Sequence, residues 1–391
     1  MNCTAVAKCL SVVSHPFPPG GSSKKAGNVK IKRRDLLTAG VSIGVGMAAT
    51  GVVAQEAPAG GGRGGRGASA SVNSNTQPSS VDSHYKPRRI NKAIELWEDG
   101  QPIYYGNSGM GPGVDSYAQG VKMARTYMDA INCEMEHGAL DFAGLREFMR
   151  GLVDGGPTRS GHRTPAVFVE TGIIGLDPAY MRANTWVLEQ LLDCGVHGIH
   201  MCHARDAGAI QVATQMAMRY PFDYPGVPKL PMRGLRGSSA NFAAGVWGVN
   251  HNKYLHVADL WPLNPKGEMI FGVKIEDTFA DVDVDKTLAL PGISMAEWGP
   301  GDHSFWLYGL SIFPEDGSTV DVGTRPEMVK VRQAVLDACK KNKVMFLNAG
   351  TANQNSPDYV VKQIQDGAMV LEAPESAAIV GREYSKRKMP V

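Results

Sequence analysis

Eight short apolar runs, separated by longer stretches in which apolar residues fall at helical spacing, constrain this chain more than any other feature. The runs span residues 102–107, 129–136, 166–171, 197–203, 270–276, 293–298, 344–348 and 368–372. The helical stretches span 113–126, 141–154, 178–193, 206–220, 281–289, 325–341 and 356–365. Short apolar runs suit strands buried on both faces, and parallel neighbours of that kind need a long crossover, which a helix supplies. Alternation of this kind builds βαβ units. Eight strands within about 300 residues match a (β/α)8 TIM barrel of the α/β class. An open doubly wound sheet is the competing arrangement. The count of eight and the lack of a GxGxxG turn after any of the runs favour the barrel. One gap is irregular: residues 221–266, ahead of the fifth run, are rich in Gly, Pro, Asn and aromatics, including Trp247, Tyr254 and Trp261. Long segments of this kind usually serve function or subunit contact.

The chain has 391 residues, and the barrel is expected over residues 86–391. The sequence ahead of it has a different character. Lys32-Arg33-Arg34-Asp35-Leu36-Leu37 is a twin-arginine pattern, followed by a Gly- and Ala-rich apolar stretch to Val53, with Val52-Val53-Ala54 as a small-residue cleavage site. The order basic, apolar, small is that of a secretory signal, and paired arginines with weak hydrophobicity point to the twin-arginine route. Residues 1–54 are therefore expected to be an export signal, which implies a periplasmic or secreted protein. Residues 55–85 carry Gly-Gly-Gly-Arg-Gly-Gly-Arg-Gly and many Ser and Asn, with little to bury, and are expected to be a flexible linker. The net charge of +2, with much of the basic excess in the first 90 residues, gives no electrostatic case for nucleic acid. No long uncharged apolar run suggests a membrane span in the body. Cys3 and Cys9 fall in the signal. Cys133, Cys194, Cys202 and Cys339 form neither a CxxC pair nor a disulfide framework, and are expected to be small buried thiols.

A barrel of this type keeps its chemistry at the C-terminal ends of its strands. The second run ends in Cys133-Glu134-Met135-Glu136-His137-Gly138, the third in Val169-Glu170-Thr171, and the fourth in Cys202-His203-Ala204-Arg205-Asp206. The fifth ends in Lys274-Ile275-Glu276-Asp277, the sixth in Glu297-Trp298-Gly299-Pro300-Gly301-Asp302-His303, and the seventh in Asn348-Ala349-Gly350. Two carboxylates from adjacent strands, completed by water and substrate oxygens, suit Mg2+ or Mn2+, and Glu276 and Asp302 fit that role. Such an ion stabilises an enolate as a Lewis acid. His137 is placed to move a proton, with Glu134 or Glu136 setting its tautomer. A single glutamate at a strand end is more often a loop cap, so the weight lies in the clustering. His197 and His200 lie deeper in their run and are expected to be structural. Asp281, Asp283 and Asp285 lack the glycine and distal glutamate of an EF-hand and are expected to open a solvated helix.

These segments also resemble the HpcH/HpaI-type metal-dependent aldolase and citrate lyase beta-subunit family. Glu134-Met135-Glu136-His137-Gly138 is similar to its acidic-Gly-Glu-His segment, and Leu191-Leu192-Asp193-Cys194-Gly195 to its Leu-Leu-Asp-x-Gly. Arg219-Tyr220-Pro221, Arg236-Gly237, Val273-Lys274-Ile275-Glu276 and Gly299-Pro300-Gly301-Asp302-His303-Ser304 follow in the family's order, over residues 91–380. The resemblance implies a phosphoenolpyruvate/pyruvate-domain-like barrel that cleaves or forms carbon–carbon bonds in a 2-oxo or hydroxy acid through an enolate. It implies a divalent ion (Mg2+, Mn2+ or Co2+) held by Glu276 and Asp302, with Glu136 in the ion's water shell. It assigns His137 as the base, paired with Glu134, and the backbone of Gly299, Pro300 and Gly301 to the substrate carboxylate. It also implies a homo-oligomer, a trimer or hexamer.

One departure matters. The family carries an arginine at the end of the third strand, where this chain has Val167-Phe168-Val169-Glu170-Thr171. Glu170 would repel a substrate carboxylate, and loss of such a donor typically costs about 10²–10³ in rate. Lys274, which stands for a family glutamine, and Arg205 are the candidate substrate-binding replacements. The leading expectation is a metal-dependent lyase. The alternatives are a hydrolase, decarboxylase or isomerase on another acid, or a periplasmic binding protein without catalysis.

Overall fold

In the computed structural model, residues 84–349 and 356–391 are described; the expected export signal and nearly all of the expected linker fall outside them, as does Gly350. Among the described residues, eight parallel strands close into a barrel in sequence order: β1 (Ile103–Asn107), β2 (Ala130–Met135), β3 (Ala166–Thr171), β4 (Gly198–Met201), β5 (Ile270–Ile275), β6 (Met295–Trp298), β7 (Met345–Asn348) and β8 (Ala368–Glu372). Each of the eight apolar runs contains one strand, and β1 pairs with β8 to complete the ring. Helices form in all seven intervening stretches. The helix in 206–220 is short, Ala207–Val212, and runs on into a π-helical turn, Ala213–Ala217. The acids at 281 and 283 do open a helix, Ala280–Leu288.

The turn out of each early strand uses one device. Asp115, Asp141, Asp177 and Asp206 each precede a helix and accept a backbone N–H of its first turn. An aspartate there satisfies donors that the helix cannot pair internally and favours its positive end. Pro178, at the start of its helix, loses no hydrogen bond there.

Side chains alternate across the barrel wall. At its N-terminal end the inward layer is apolar, with Ile103, Ala166, Phe168, Ile270 and Met295 meeting the Lys92–Glu98 helix, whose Ile94, Leu96 and Trp97 are buried against them. Two to four positions further along the strands the inward residues become polar: Glu170, His200, Lys274 and Glu297. The four described cysteines are buried and unpaired, as expected of small thiols.

The 221–266 segment is built rather than loose. It carries the helices Asn241–Trp247 and His251–Val257. Trp247 stacks on His197 with ring centroids 5.5 Å apart and donates to the Gly195 carbonyl at 2.9 Å. Tyr254 is fully buried, and Trp261 stacks on Trp97 at 5.8 Å. Its aromatics thus pack on the flank near the start of β4 and on the helix that closes the barrel's N-terminal end.

Candidate active site

Four donors converge at the C-terminal end of the barrel. Glu136 follows β2, His203 follows β4, Glu276 follows β5, and Asp302 lies in the first turn of the Pro300–Tyr308 helix. One ligand-type atom from each lies within 4.8 Å of the others. His137 overhangs the group: its side chain is 65% exposed, and its Nε2 stands 3.6 Å from Glu136 Oε2 and 3.6 Å from Asp302 Oδ2.

His203 was not singled out by sequence, yet it is the most constrained member. Its backbone lies in the left-handed region at φ 45°, unusual for a residue with a Cβ. Its amide donates to Glu276 at 2.9 Å, and its Nδ1 pairs with Asp277 Oδ2 at 2.8 Å. That leaves Nε2 facing Glu136 Oε1 at 3.3 Å and Asp302 Oδ2 at 4.0 Å. A carboxylate behind one imidazole nitrogen, orienting the other towards a cluster of acids, is the arrangement that positions metal-binding histidines. Burial opposes protonation of this ring, but bonding to Asp277 and Glu136 prevails and raises its pKa to about 9.

Lys274 enters from β5. Its Nζ lies 3.0 Å from Glu136, 3.0 Å from Glu276 and 4.0 Å from Glu170. Burial disfavours the ammonium, yet the surrounding carboxylates, Glu297 foremost, hold its pKa well above the ordinary range. Burial also weighs on Glu136, but His203 and Lys274 keep its carboxyl at about 2. For Glu276 burial wins, and its pKa is raised.

Two of the sequence-selected residues have other partners. Glu134 Oε1 accepts the backbone amides of Glu136 at 2.5 Å and His137 at 3.0 Å, so it shapes the turn after β2. The acids that face the His137 imidazole are Glu136 and Asp302. Arg205 donates to Asp277 at 2.7 Å and lies over the rings of Trp306 and Phe279. It lines a separate hollow with Leu176, Asp206 and Val282, so of the two candidate replacement cations it is Lys274 that reaches Glu136 and Glu276.

The group opens into a pocket of about 380 Å³ walled by His137, Lys274, Glu276, Gly299, Pro300 and Asp302, with Glu297 and Glu372 also lining it. No residue of the 221–266 segment lines it. Gly299 is needed for close approach: a Cβ there would stand 2.8 Å from Glu276 Oε2. Pro300 occupies the first position of the helix that brings Asp302 in, and Gly301 has open space beside it.

The same barrel occurs in solved structures. The chain is similar to a HpcH/HpaI aldolase/citrate lyase family protein from Burkholderia cenocepacia J2315, at 17% identity over 75% of this chain and 96% of that one, with a TM-score of 0.52. It is also similar to the HpcH/HpaI aldolase from Desulfitobacterium hafniense DCB-2, at 17% identity over 75% of this chain and 93% of that one, with a TM-score of 0.50. The chain has the HpcH/HpaI aldolase fold. At this identity the likeness concerns the barrel and its connections, while the site rests on the residues above. No protein-family model matches the sequence. No curated protein matches it.

Proposed function

We propose that this protein is a divalent-metal-dependent carbon–carbon lyase of the HpcH/HpaI aldolase type, acting on a small 2-oxo or hydroxy acid. The observation that carries this reading is the meeting of Glu136, His203, Glu276 and Asp302 at the mouth of a barrel with that fold. Three carboxylates and one oriented imidazole fit a divalent ion, and the nitrogen donor favours Mn2+ or Co2+ over Mg2+. When bound, such an ion polarises the oxo oxygen and stabilises the negative charge of an enolate.

The chain's own groups supply the rest. His137 Nε2, exposed at the pocket rim, takes the proton from the substrate hydroxyl as the carbon–carbon bond breaks. The bonding electrons pass into the enolate of the oxo acid, and the same imidazole returns a proton to carbon. Glu136 and Asp302 face that imidazole, each 3.6 Å from its Nε2. Lys274 provides a fixed positive charge beside the developing oxyanion, the role that resemblance gives to an arginine on β3. The open backbone around Gly301, at a helix N-terminus, suits the substrate carboxylate.

Glu170 in place of that arginine favours a second reading, in which the same site serves a hydrolase, decarboxylase or isomerase on another acid. Export by the twin-arginine signal, with a periplasmic substrate, remains part of our reading. Self-association as a trimer or hexamer does too, supported by the exposed Trp306, Leu310 and Phe313 on and after the Pro300–Tyr308 helix.

The test is pyruvate release or oxo-acid condensation by the purified protein with Mn2+ and with EDTA. The lyase reading expects Mn2+-dependent turnover that Glu276→Ala abolishes. Turnover that persists in EDTA, or full activity in that variant, would overturn the metal assignment. Metal binding without carbon–carbon cleavage, alongside turnover of another acid by mass spectrometry, would favour the second reading.

A further inference from the structure

We propose a second divalent-cation site inside the barrel, below the pocket, built by Glu170 on β3, His200 on β4 and Glu297 on β6. It is separate from the mouth cluster and shares none of its donors. One ligand-type atom from each of the three lies within 4.8 Å of the others.

The strand pattern explains the meeting. Glu170 and His200 are register partners on adjacent strands. β5 lies between β4 and β6, and its residue opposite His200 is Gly272. A Cβ on Gly272 would stand 2.9 Å from the His200 ring, so the bare position lets the imidazole reach towards β6. The ring lies between the two acids, with Nδ1 3.4 Å from Glu170 Oε1 and Nε2 3.4 Å from Glu297 Oε2.

Two independent observations point to a cation. His200 is fully buried, and its Nε2 makes no hydrogen bond despite facing Glu297. A buried ring nitrogen without a partner is costly in a folded protein. Charge is also unbalanced around Glu170 and Glu297: the ammonium of Lys274 lies nearest to Glu136 and Glu276, and the His203 ring faces those same two acids. Buried carboxylates in excess call for a counter-ion. The route in exists, because Glu297 lines the open pocket. One imidazole and two carboxylates suit Mn2+, Fe2+, Co2+ or Zn2+ better than Mg2+.

Mn2+ is the probe. Full-length protein is stripped of metal, dialysed against Mn2+, and its bound manganese counted by mass spectrometry. Two ions per chain are expected in the wild type, one in His200→Gln, and one in Glu276→Gln. Anomalous diffraction at the manganese edge from the wild type reads the same point without a variant, with a peak expected between Glu170, His200 and Glu297. A wild type with one ion, lost in Glu276→Gln and kept in His200→Gln, overturns the proposal, as does the absence of that peak. One ion kept in Glu276→Gln and lost in His200→Gln supports the inner site and overturns the mouth assignment instead. Glu297→Gln repeats the count should His200→Gln fail to fold.

Discussion

The two ends of the barrel handle buried charge in opposite ways. At the N-terminal end Asp129 is surrounded by cations: Lys92 at 3.0 Å, two bonds of 2.6 Å from Arg387, and Arg382 at 3.9 Å. It also accepts the Tyr104 amide at 3.0 Å. Burial alone would raise its pKa, but these charges hold it far below the carboxylate range. At the C-terminal end four glutamates share Lys274 and the His203 imidazole, which keep Glu136 at about 2, while burial raises Glu276 and Glu297. A buried carboxylate satisfied on every side holds a structure together. Carboxylates left in excess destabilise it, and are understandable where a cation arrives from outside.

The largest effect should come from removing the satisfied partner. Asp129→Asn leaves Lys92 and Arg387 buried without their counter-charge and should cost about 3–5 kcal/mol. Glu297→Gln in metal-free protein should cost little or stabilise, because it relieves repulsion. Urea denaturation of both variants decides the matter, and equal losses would remove the contrast.

Acid should also remove a contribution at the N-terminal end. Burial raises the Glu95 pKa, but bonds from His162 and Tyr85 and the backbone amide of Arg89 lower it from 4.5 to about 2. His162, whose own pKa burial lowers, bonds from Nε2 while Ser160 lies 2.9 Å from Nδ1. Because the folded-state pKa of Glu95 is depressed, its contribution is complete above about pH 4.5 and is lost as pH falls towards 2. The loss amounts to roughly 3 kcal/mol. Glu95→Gln should flatten the melting temperature across that window, and an unchanged slope would show that other carboxylates govern acid unfolding.

At the mouth, Asp277 is tied to both His203 and Arg205. If it orients a metal-binding imidazole, Asp277→Asn should weaken Mn2+ roughly 10–100-fold while leaving every direct ligand in place. Calorimetric titration measures this, and an affinity within about twofold of the wild type would make Asp277 a loop anchor instead.

What could be read from sequence follows from how far each interaction reaches. The strands were legible because burial on both faces writes an apolar run, and Asp177 and Pro178 mark a helix start locally. Glu276 and Asp302 could be selected because strand ends in a barrel converge. His203 could not, since its importance depends on Asp277 from another strand and on a backbone turned to φ 45°. His200 sat in an apolar run and passed for a core histidine; only the register that sets it against Gly272 shows why its ring can lie between two acids. Residues 221–266 suggested a functional loop or a subunit contact by composition; their aromatics pack away from the mouth pocket.

The smallest expected effect separates the roles of two neighbouring acids. Resemblance pairs Glu134 with the catalytic imidazole, whereas here its carboxylate accepts two backbone amides and Glu136 faces the ring. A glutamine side chain retains a carbonyl acceptor for those amides, so Glu134→Gln should preserve the turn and lower kcat/KM by less than about tenfold, below the 10²–10⁴ attributed to general acid–base groups. An acid that works with the imidazole during the proton transfer would act differently, and its neutralisation would lower kcat/KM by about 10²–10⁴. Steady-state kinetics of Glu134→Gln decide between the two roles. A loss in that larger range would restore Glu134 as the imidazole's partner in the working enzyme.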